Sequence, residues 1–206
     1  MCARFIVDDD DFDINEIIEA AKKNLNFNKT EATQAVWQQS GRIEVFPGSY
    51  APVIAADDNV RFMLWGFPNL MPGKQPLINA RSETAAVKKT FSEAMEFRRC
   101  IIPASGFFEW KNVGKKKKEK YEFTLPEKKV IYMAGIYSSD NKFSILTRDA
   151  SPSVAEIHDR MPVILPKALT GVWLNESADV IRDALTEVHS QHVTDGSSAL
   201  AQMSMF

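Results

Sequence analysis

Residues 99–111, which read RCIIPASGFFEWK, contain two short apolar runs separated by small residues. Short runs that contain Ile or Phe and are bounded by Gly or Pro are typical of β-strands joined by a tight turn. We therefore predict strands over Cys100–Pro103 and Gly106–Lys111. The same pattern of short strands extends from this stretch in both directions along the chain.

The further predicted strands lie on both sides of residues 99–111. They span Arg4–Val7, Tyr50–Ala55, Val60–Trp65, Tyr121–Leu125, Val130–Tyr137, Phe143–Thr147 and Met161–Leu165. The second and third of them flank Asp57-Asp58-Asn59, a turn sequence that predicts a hairpin. Residues Gly41–Gly48 are interpreted as a turn-rich connection rather than a strand.

Helices are predicted between the strands, and capping residues mark several of their starts. Asp13 is the expected N-cap of the first helix, in a capping box that ends at Glu16. Ser82 is expected to cap a short helix through Lys89, and Ser151 before a proline is a favourable helix start. The remaining helices are predicted around Trp37 and over Phe91–Phe97, Pro166–Leu174 and Ala178–Val188.

Strands and helices do not alternate regularly in this pattern. Many short strands with inserted helices predict an α+β fold with a mainly antiparallel, barrel-like sheet. We expect a single domain over residues 1–206, because no linker or repeat divides the chain. Residues 194–206 are small and polar and are expected to be loosely ordered.

The composition is that of a soluble globular protein. Apolar residues make up 45% and charged residues 25% of the chain, and no apolar run approaches the about eighteen residues of a membrane helix. Without a signal peptide, and with two cysteines, the protein is expected in a reducing cytoplasm. No HxxxH or CxxC spacing occurs, so neither a metal nor another cofactor is predicted.

The charge is unevenly distributed although the net charge is only −2. Residues 1–20 hold seven acidic side chains and one basic, whereas residues 79–120 hold eleven basic and five acidic. A locally basic face is compatible with phosphate contacts. The lysine run at residues 115–118 is more simply interpreted as a solvated hairpin tip.

Cys2 directly follows the first methionine. If Met1 is removed, Cys2 carries a free α-amine beside its thiol, with ordinary pKa values of about 8 and 8.5. An aldehyde that forms a Schiff base with such an amine is then trapped by the thiol as a five-membered thiazolidine. The alternative is that Cys2 is merely a cysteine at a frayed chain end.

Two further residues could transfer protons. Strand alternation places Glu109 beside aromatic side chains, where the pKa of a carboxyl group rises towards neutrality. His158, between a predicted helix and strand, has an ordinary pKa near 6.5 and could act as a general acid or base. The alternatives are a glutamate that reaches water and a surface histidine at a helix C-terminus.

Other polar and aromatic residues could contact nucleic acid. Asn79 can donate and accept hydrogen bonds, and Arg81 can bind a phosphate with two N–H groups. Both are expected to follow an apolar strand at Leu77–Ile78. Trp65 and Phe67 offer rings on which unpaired bases could stack, although Trp65 could equally be a core residue.

Five motifs occur in a fixed order along the chain. They are Met1-Cys2-Ala3-Arg4-Phe5, Trp65-Gly66, Asn79-Ala80-Arg81-Ser82-Glu83-Thr84, the stretch Arg99–Trp110, and Thr147 with Ile157-His158-Asp159-Arg160-Met161-Pro162. Together they resemble the motifs of the SRAP family, the SOS-response-associated peptidases or abasic-site-processing proteins. Ala3, Phe108 and the stretch 44–48 depart from the family pattern.

The resemblance implies an abasic-site sensor that binds single-stranded DNA and becomes covalently linked to the lesion. Cys2 would be the nucleophile after autoproteolytic loss of Met1. Asn79 would position the sugar and the amine, Glu109 would exchange protons, and His158 would assist opening of the sugar ring. The residues expected to contact DNA are Arg4, Trp65, Phe67, Arg81, Thr147 and Arg160.

The resemblance also implies a monomer that needs no metal or cofactor and that associates with the nucleoid when it binds DNA. Two other functions remain open from the residues. Cys2, His158 and Glu109 could form the nucleophile, base and orienting group of a thiol peptidase that acts in trans. A non-covalent single-stranded DNA-binding protein would need the basic and aromatic residues but not Cys2.

Overall fold

The structure is a computed structural model that describes residues 2–24, 37–38, 41–56, 59–114, 117–128, 130–185 and 187–193. Most of the predicted helix around Trp37, the turn at residues 57–58 and the tail 194–206 lie outside the described residues. None of the helices within the described ranges is both long enough and apolar enough to cross a membrane.

Thirteen strands and five α-helices are present in the described residues. The strands are Arg4–Asp8 (β1), Arg42–Val45 (β2), Tyr50–Ala55 (β3), Val60–Trp65 (β4), Asn79–Arg81 (β5), Arg99–Ala104 (β6), Gly106–Gly114 (β7), Lys117–Thr124 (β8), Ile131–Tyr137 (β9), Lys142–Asp149 (β10), Arg160–Pro162 (β11), Ile164–Leu165 (β12) and His189–Val193 (β13). The helices are Phe12–Lys23 (α1), Ser82–Ala85 (α2), Ser92–Phe97 (α3), Pro152–Ala155 (α4) and Thr170–Asn175 (α5). Short 3-10 helices span Pro126–Lys128, Lys167–Leu169 and Ala178–Asp183.

Five strands close into a ring. β10 pairs with β4, β4 with β3, β3 with β6, β6 with β9, and β9 pairs with β10 again. Only the pairings of β10 with β4 and with β5 are parallel in this sheet. The predicted α+β class with a mainly antiparallel, barrel-like sheet is therefore confirmed. Closure of the ring removes exposed strand edges.

A second sheet has the strand order β13-β8-β7-β1-β2 and is antiparallel throughout. It joins the ring where β6 continues into β7 at Ser105, whose N–H donates to the carbonyl of Ile6 at 2.8 Å. The inward rings of Phe107 and Phe123 stack there at 4.9 Å. Helix α1 covers β3 and β4 and buries Ile14 and Ala21 among its apolar residues.

The helix starts differ from the prediction in two places. Asp11, not Asp13, caps α1, and its side chain accepts a hydrogen bond from the N–H of Ile14 at 3.2 Å. A run of four aspartates offers several caps, and the apolar face that packs on the sheet selects among them. Ser82 is the first residue of α2 rather than its cap, and that helix ends at Ala85 instead of Lys89.

Two strands were absent from the prediction, and β5 consists of Asn79–Arg81 instead of the predicted Leu77–Ile78. The connection Gly41–Gly48 contains β2, whose residues pair with β1. The predicted helix Ala178–Val188 is only a 3-10 helix, and β13 follows it and pairs with β8. β2 and β13 are edge strands that pair with a neighbouring strand. The sequence of β13 lacks apolar alternation, whereas the four residues of β2 alternate but are too short a run, between Gly41 and Pro47, to predict a strand.

Candidate functional site: a polar cluster around Cys2

Cys2 lies two residues before β1 and is fully buried. Its carbonyl accepts a hydrogen bond from the side-chain amide of Asn79 at 2.8 Å. Asn79 is the first residue of β5, which pairs in parallel with β10 and is therefore held by the ring. The chain start is thus attached to a rigid strand and is not the frayed end considered from the sequence.

The oxygen of the Asn79 amide, unlike its nitrogen, has no hydrogen-bond partner among the described residues. This atom, Oδ1, is buried. A buried acceptor without a donor is unfavourable by about 1–3 kcal/mol, so it usually serves a ligand or a step of a reaction. Asn79 can therefore hold the backbone at Cys2 with one atom and accept a hydrogen bond from a bound group with the other.

Glu109 is buried on the inner side of β7, with only 1% of the residue exposed. Its burial among apolar residues raises the pKa of the carboxyl group from 4.5 to about 7. The negative charge of Glu109 also acts on Cys2, because it adds to burial in raising the pKa of the thiol. The strand alternation therefore placed Glu109 correctly, and the alternative of a glutamate that reaches water is wrong.

His158 lies between α4 and β11, with its Nε2 3.8 Å from Oε2 of Glu109. Its Nδ1 lies 3.0 Å from the backbone nitrogen of Arg160, 3.2 Å from the Arg160 carbonyl oxygen and 3.0 Å from Oδ1 of Asp159, so Nδ1 can either accept or donate, depending on the tautomer. Burial lowers the pKa of His158 below its ordinary value. A neutral imidazole and a carboxyl group that titrates near pH 7 thus lie side by side.

The thiol of Cys2 is in its neutral form. Its Sγ lies 3.7 Å from the carbonyl oxygen of Arg4, and burial is the main cause of its raised pKa. A neutral thiol is a weak nucleophile until a base takes its proton. The cluster around Cys2 therefore contains three groups that can gain or lose a proton, Cys2, Glu109 and His158, and one hydrogen-bonding amide, Asn79.

Arg4 and Arg81 are the predicted DNA contacts that remain accessible. The Arg4 guanidinium lies over the rings of Phe46 and Trp110, at 4.6 and 5.1 Å from their centroids, and forms an ion pair with Glu44 at 3.2 Å. Arg81 is exposed at the end of β5. Either guanidinium could bind a phosphate without unfolding of the surrounding chain.

Arg160 and Thr147 are buried and belong instead to an ion-pair network, in which the carboxylates of Glu83 and Asp149 reach solvent. Arg160 forms two hydrogen bonds of 2.8 Å with the carboxylate of Glu83 and also donates to Asp149 and to the carbonyl of Thr147. Only 8% of the Arg160 side chain is exposed, and Thr147 is almost fully buried. In this arrangement both residues hold β11 against α2 and β10 and do not offer a phosphate site.

The structure places Trp65 and Phe67 in the core, which corrects the prediction that unpaired bases stack on their rings. Trp65 is fully buried against Phe5 and Phe143, and its indole N–H donates to the carbonyl of Ile78 at 2.9 Å. Phe67 is 6% exposed and packs on Phe91. Neither ring presents a face to solvent, which was the alternative left open for Trp65.

Three residues of this region were not singled out as functional from the sequence. They are Glu83, which pairs with Arg160, and Glu44 with Lys120, which pair with each other near Arg4. Glu83 lies inside a recognised motif and could have been found there, whereas no sequence signal pairs residues 44 and 120. Among the described residues, Asp8, Asp9 and Asp10 bring carboxylates within 4.8 Å of one another, but such exposed acidic groups are common without an ion.

Known proteins share the sequence pattern of this chain. The family model described as SOS response associated peptidase (SRAP) matches residues 1–201. The abasic site processing protein YedK of Escherichia coli is 32% identical over 146 residues, which cover 66% of this chain and 65% of YedK. YobE of Bacillus subtilis, which has the same descriptive name, is 38% identical over 107 residues, 48% of this chain and 49% of YobE. The matches thus span between about half and two thirds of these relatives.

Solved structures share the fold. A protein of Bacteroides thetaiotaomicron is 23% identical with a TM-score of 0.67, and the match covers 87% of this chain and 89% of that one. A phage-related protein of Bordetella bronchiseptica is 21% identical with a TM-score of 0.69 and coverages of 93% and 94%. With the family model matched over nearly the whole chain, the protein belongs to the SOS response associated peptidase (SRAP) family.

Proposed function

We propose that this protein captures abasic sites in single-stranded DNA through Cys2 after loss of Met1. The observation that carries the proposal is the meeting of Cys2, Asn79, Glu109 and His158, which come from four distant parts of the chain. The relatives YedK and YobE are named abasic site processing proteins, which supports the lesion as the substrate.

The proposed reaction joins the ring-opened sugar of the lesion to the chain start. The Cys2 amine adds to the aldehyde carbon, and water leaves to form an imine. The thiol then adds across the C=N bond, so that sulfur bonds to carbon and the thiol proton ends on nitrogen. No atoms are lost beyond the one water, and the product is a thiazolidine.

Glu109 has the properties that these proton transfers need. With a pKa of about 7 it is present in both forms near neutral pH, so it can protonate the leaving hydroxyl and then take the proton of the buried thiol. Asn79 Oδ1, which accepts no hydrogen bond from the described residues, can accept one from the amine or from a sugar hydroxyl. His158 Nε2 can donate to the sugar as its ring opens.

Loss of Met1 must precede capture, since the amine of Cys2 is otherwise part of a peptide bond. We propose that the same cluster hydrolyses the Met1–Cys2 bond, with Glu109 exchanging the protons.

The test is the intact mass of the protein after mixing with single-stranded DNA that carries one abasic site. We expect an adduct that survives denaturation, that lacks Met1 and that is absent from Cys2→Ala. Cys100→Ala is the matched control because Cys100 is the other thiol, is also fully buried and lies on β6. It should form the adduct as the wild type does.

The outcomes separate the three functions. An adduct in Cys2→Ala, or none in wild-type protein from which Met1 has been removed, would contradict covalent capture. Binding of the DNA without an adduct in that protein would favour the non-covalent binder. Turnover of unrelated peptides that depends on Cys2 would favour the thiol peptidase.

A further inference from the structure

We propose that the carboxylate of Glu44 competes with DNA phosphates for the guanidinium of Arg4 and so limits binding of undamaged single strands. The inference rests on the proposed function and adds to it a residue that adjusts how strongly DNA is held. It follows from the ion pairs on the outer face of β1, β2, β7 and β8.

Glu44 lies in β2, next to β1, and binds two cations. Its Oε1 accepts a hydrogen bond from Nη1 of Arg4 at 3.2 Å, and both of its carboxylate oxygens lie 3.0 Å from Nζ of Lys120. Lys120 reaches it from β8, across β7 and β1. One carboxylate at the sheet edge is thus shared by two positive charges, one from the neighbouring strand β1 and one from β8.

The two cations are held to different degrees. The side chains of Lys120 and Glu44 are 12% and 11% exposed, and the Lys120 ammonium lies 3.7 Å from the ring centroid of Phe108. The Arg4 side chain is 38% exposed and makes a single hydrogen bond to Glu44. Lys120 therefore stays with Glu44, and Arg4 is the cation that can leave it for a ligand.

Arg4 is already oriented for such a ligand. The rings of Phe46 and Trp110 support its guanidinium, so the loss of one hydrogen bond does not set the side chain free. Arg4 is two residues from Cys2, which is at most about 7 Å along the chain. A phosphate next to a lesion held at Cys2 can therefore reach it, but must displace the Glu44 carboxylate.

The competition has a measurable consequence. A carboxylate that must be displaced weakens every phosphate contact of Arg4, whether the DNA is damaged or not. Covalent capture offsets this penalty, because the bond at Cys2 holds the lesion whether or not Arg4 binds a phosphate. Glu44 would thus reduce binding to intact strands while leaving capture of the lesion possible.

The experiment measures the affinity for unmodified single-stranded DNA by fluorescence anisotropy over a range of salt concentrations. We expect Glu44→Gln to bind about fivefold more tightly, with a salt slope steeper by about 0.7, the value for one more phosphate contact. Glu93→Gln is the matched control, since it changes the net charge equally but pairs with Arg98 on another surface. It should leave the slope unchanged.

A double variant separates release of Arg4 from a change in charge. Glu44→Gln with Lys120→Gln removes one charge of each sign, so the net charge stays that of the wild type, and it also avoids leaving Lys120 buried without its partner. It should still bind more tightly than the wild type. The inference would be overturned if Glu44→Gln had the same affinity and salt slope as Glu93→Gln. It would also be overturned if the double variant bound DNA more weakly than the wild type.

The adduct assay distinguishes a failure of the proposed role of Glu44 from a failure of the proposed function. An adduct in the wild type with no effect of Glu44→Gln on binding would overturn only the role of Glu44. The absence of both adduct and DNA binding in the wild type and in the variant would overturn both proposals.

Discussion

The environment of Glu109 changes the chemistry of its side chain. Strand alternation turns it inward, beside Phe107, and burial then raises its pKa to about 7. A free glutamate would be charged at neutral pH and could not donate a proton. In this position the same side chain can act as an acid and as a base within one reaction cycle.

Replacement of Glu109 by Gln tests this role. We expect Glu109→Gln to retain Met1 and, when supplied without Met1, to capture abasic DNA at least tenfold more slowly, since general acid–base catalysis contributes about 10²–10⁴-fold. The rate of both proteins should rise with pH as the Cys2 amine loses its proton, but only the wild type should show a further change near pH 7 from Glu109. Intact mass and the rate of adduct formation at several pH values measure both effects.

Glu122→Gln serves as the control for this experiment. Glu122 lies on β8 and pairs with Arg42 on the outer face, away from the buried cluster. It should remove Met1 and capture DNA as the wild type does. A Glu109→Gln protein that matches the wild type over the whole pH range would rule out proton transfer by Glu109.

The residues of the candidate site lie on or next to short strands, and one ion pair connects two of these segments. β5 supplies Asn79 and continues into α2 with Glu83, while β11 begins at Arg160, two residues after His158. The Glu83–Arg160 pair connects these segments over β10, and it lowers the pKa of Glu83 through the hydrogen bonds from Arg160. The pair thereby holds Asn79 and His158 in place relative to each other.

Glu83→Gln should therefore weaken both the fold and the site. Arg160 is nearly buried, but Glu83 is 45% exposed and Gln keeps one acceptor oxygen, so we expect a loss of roughly 1 kcal/mol in the free energy of unfolding. Urea unfolding measures the loss. Capture of abasic DNA should also slow, because Nδ1 of His158 is held by the backbone of Arg160.

Glu19→Gln is the control at this scale. Glu19 forms an exposed ion pair with Lys22 on α1, and such pairs contribute little. Its free energy of unfolding should stay within about 0.5 kcal/mol of the wild type. Equal stability of the two variants would show that the Glu83–Arg160 pair does not hold the elements together.

At the scale of the whole molecule, the buried carboxyl group of Glu109 should make the free energy of unfolding depend on pH. The pKa of Glu109 is raised by folding, so the folded state binds more protons than the unfolded state between pH 4.5 and about 7. The contribution of Glu109 to stability is thus fully present below pH 4.5 and is lost as the pH rises through 7. A rise from 4.5 to about 7 corresponds to roughly 3 kcal/mol.

Comparison of the wild type with Glu109→Gln isolates this contribution, because other groups titrate equally in both proteins. The difference in their free energies of unfolding, from urea titrations at pH 4.5 and 7.5, should shift by up to roughly 3 kcal/mol in favour of Gln at the higher pH. A difference that does not change with pH would mean that Glu109 has an ordinary pKa.

The sequence by itself determined the strands with strong apolar patterns, the fold class and the chemical types at the site. Cys2, Asn79, Glu109 and His158 lie in motifs whose local patterns are informative without any knowledge of packing. The inward direction of Glu109 followed from strand alternation alone, since that period is a property of the backbone.

Only the tertiary structure decided which polar residues are available to a ligand. Trp65 and Arg160 have suitable side chains for DNA, yet one is enclosed by aromatic rings and the other is bound to Glu83. β2 and β13, and the link of Glu44 to Lys120, depend in the same way on strand pairing. Burial and ion pairing arise between residues far apart in the chain, so no local pattern in the sequence contains them.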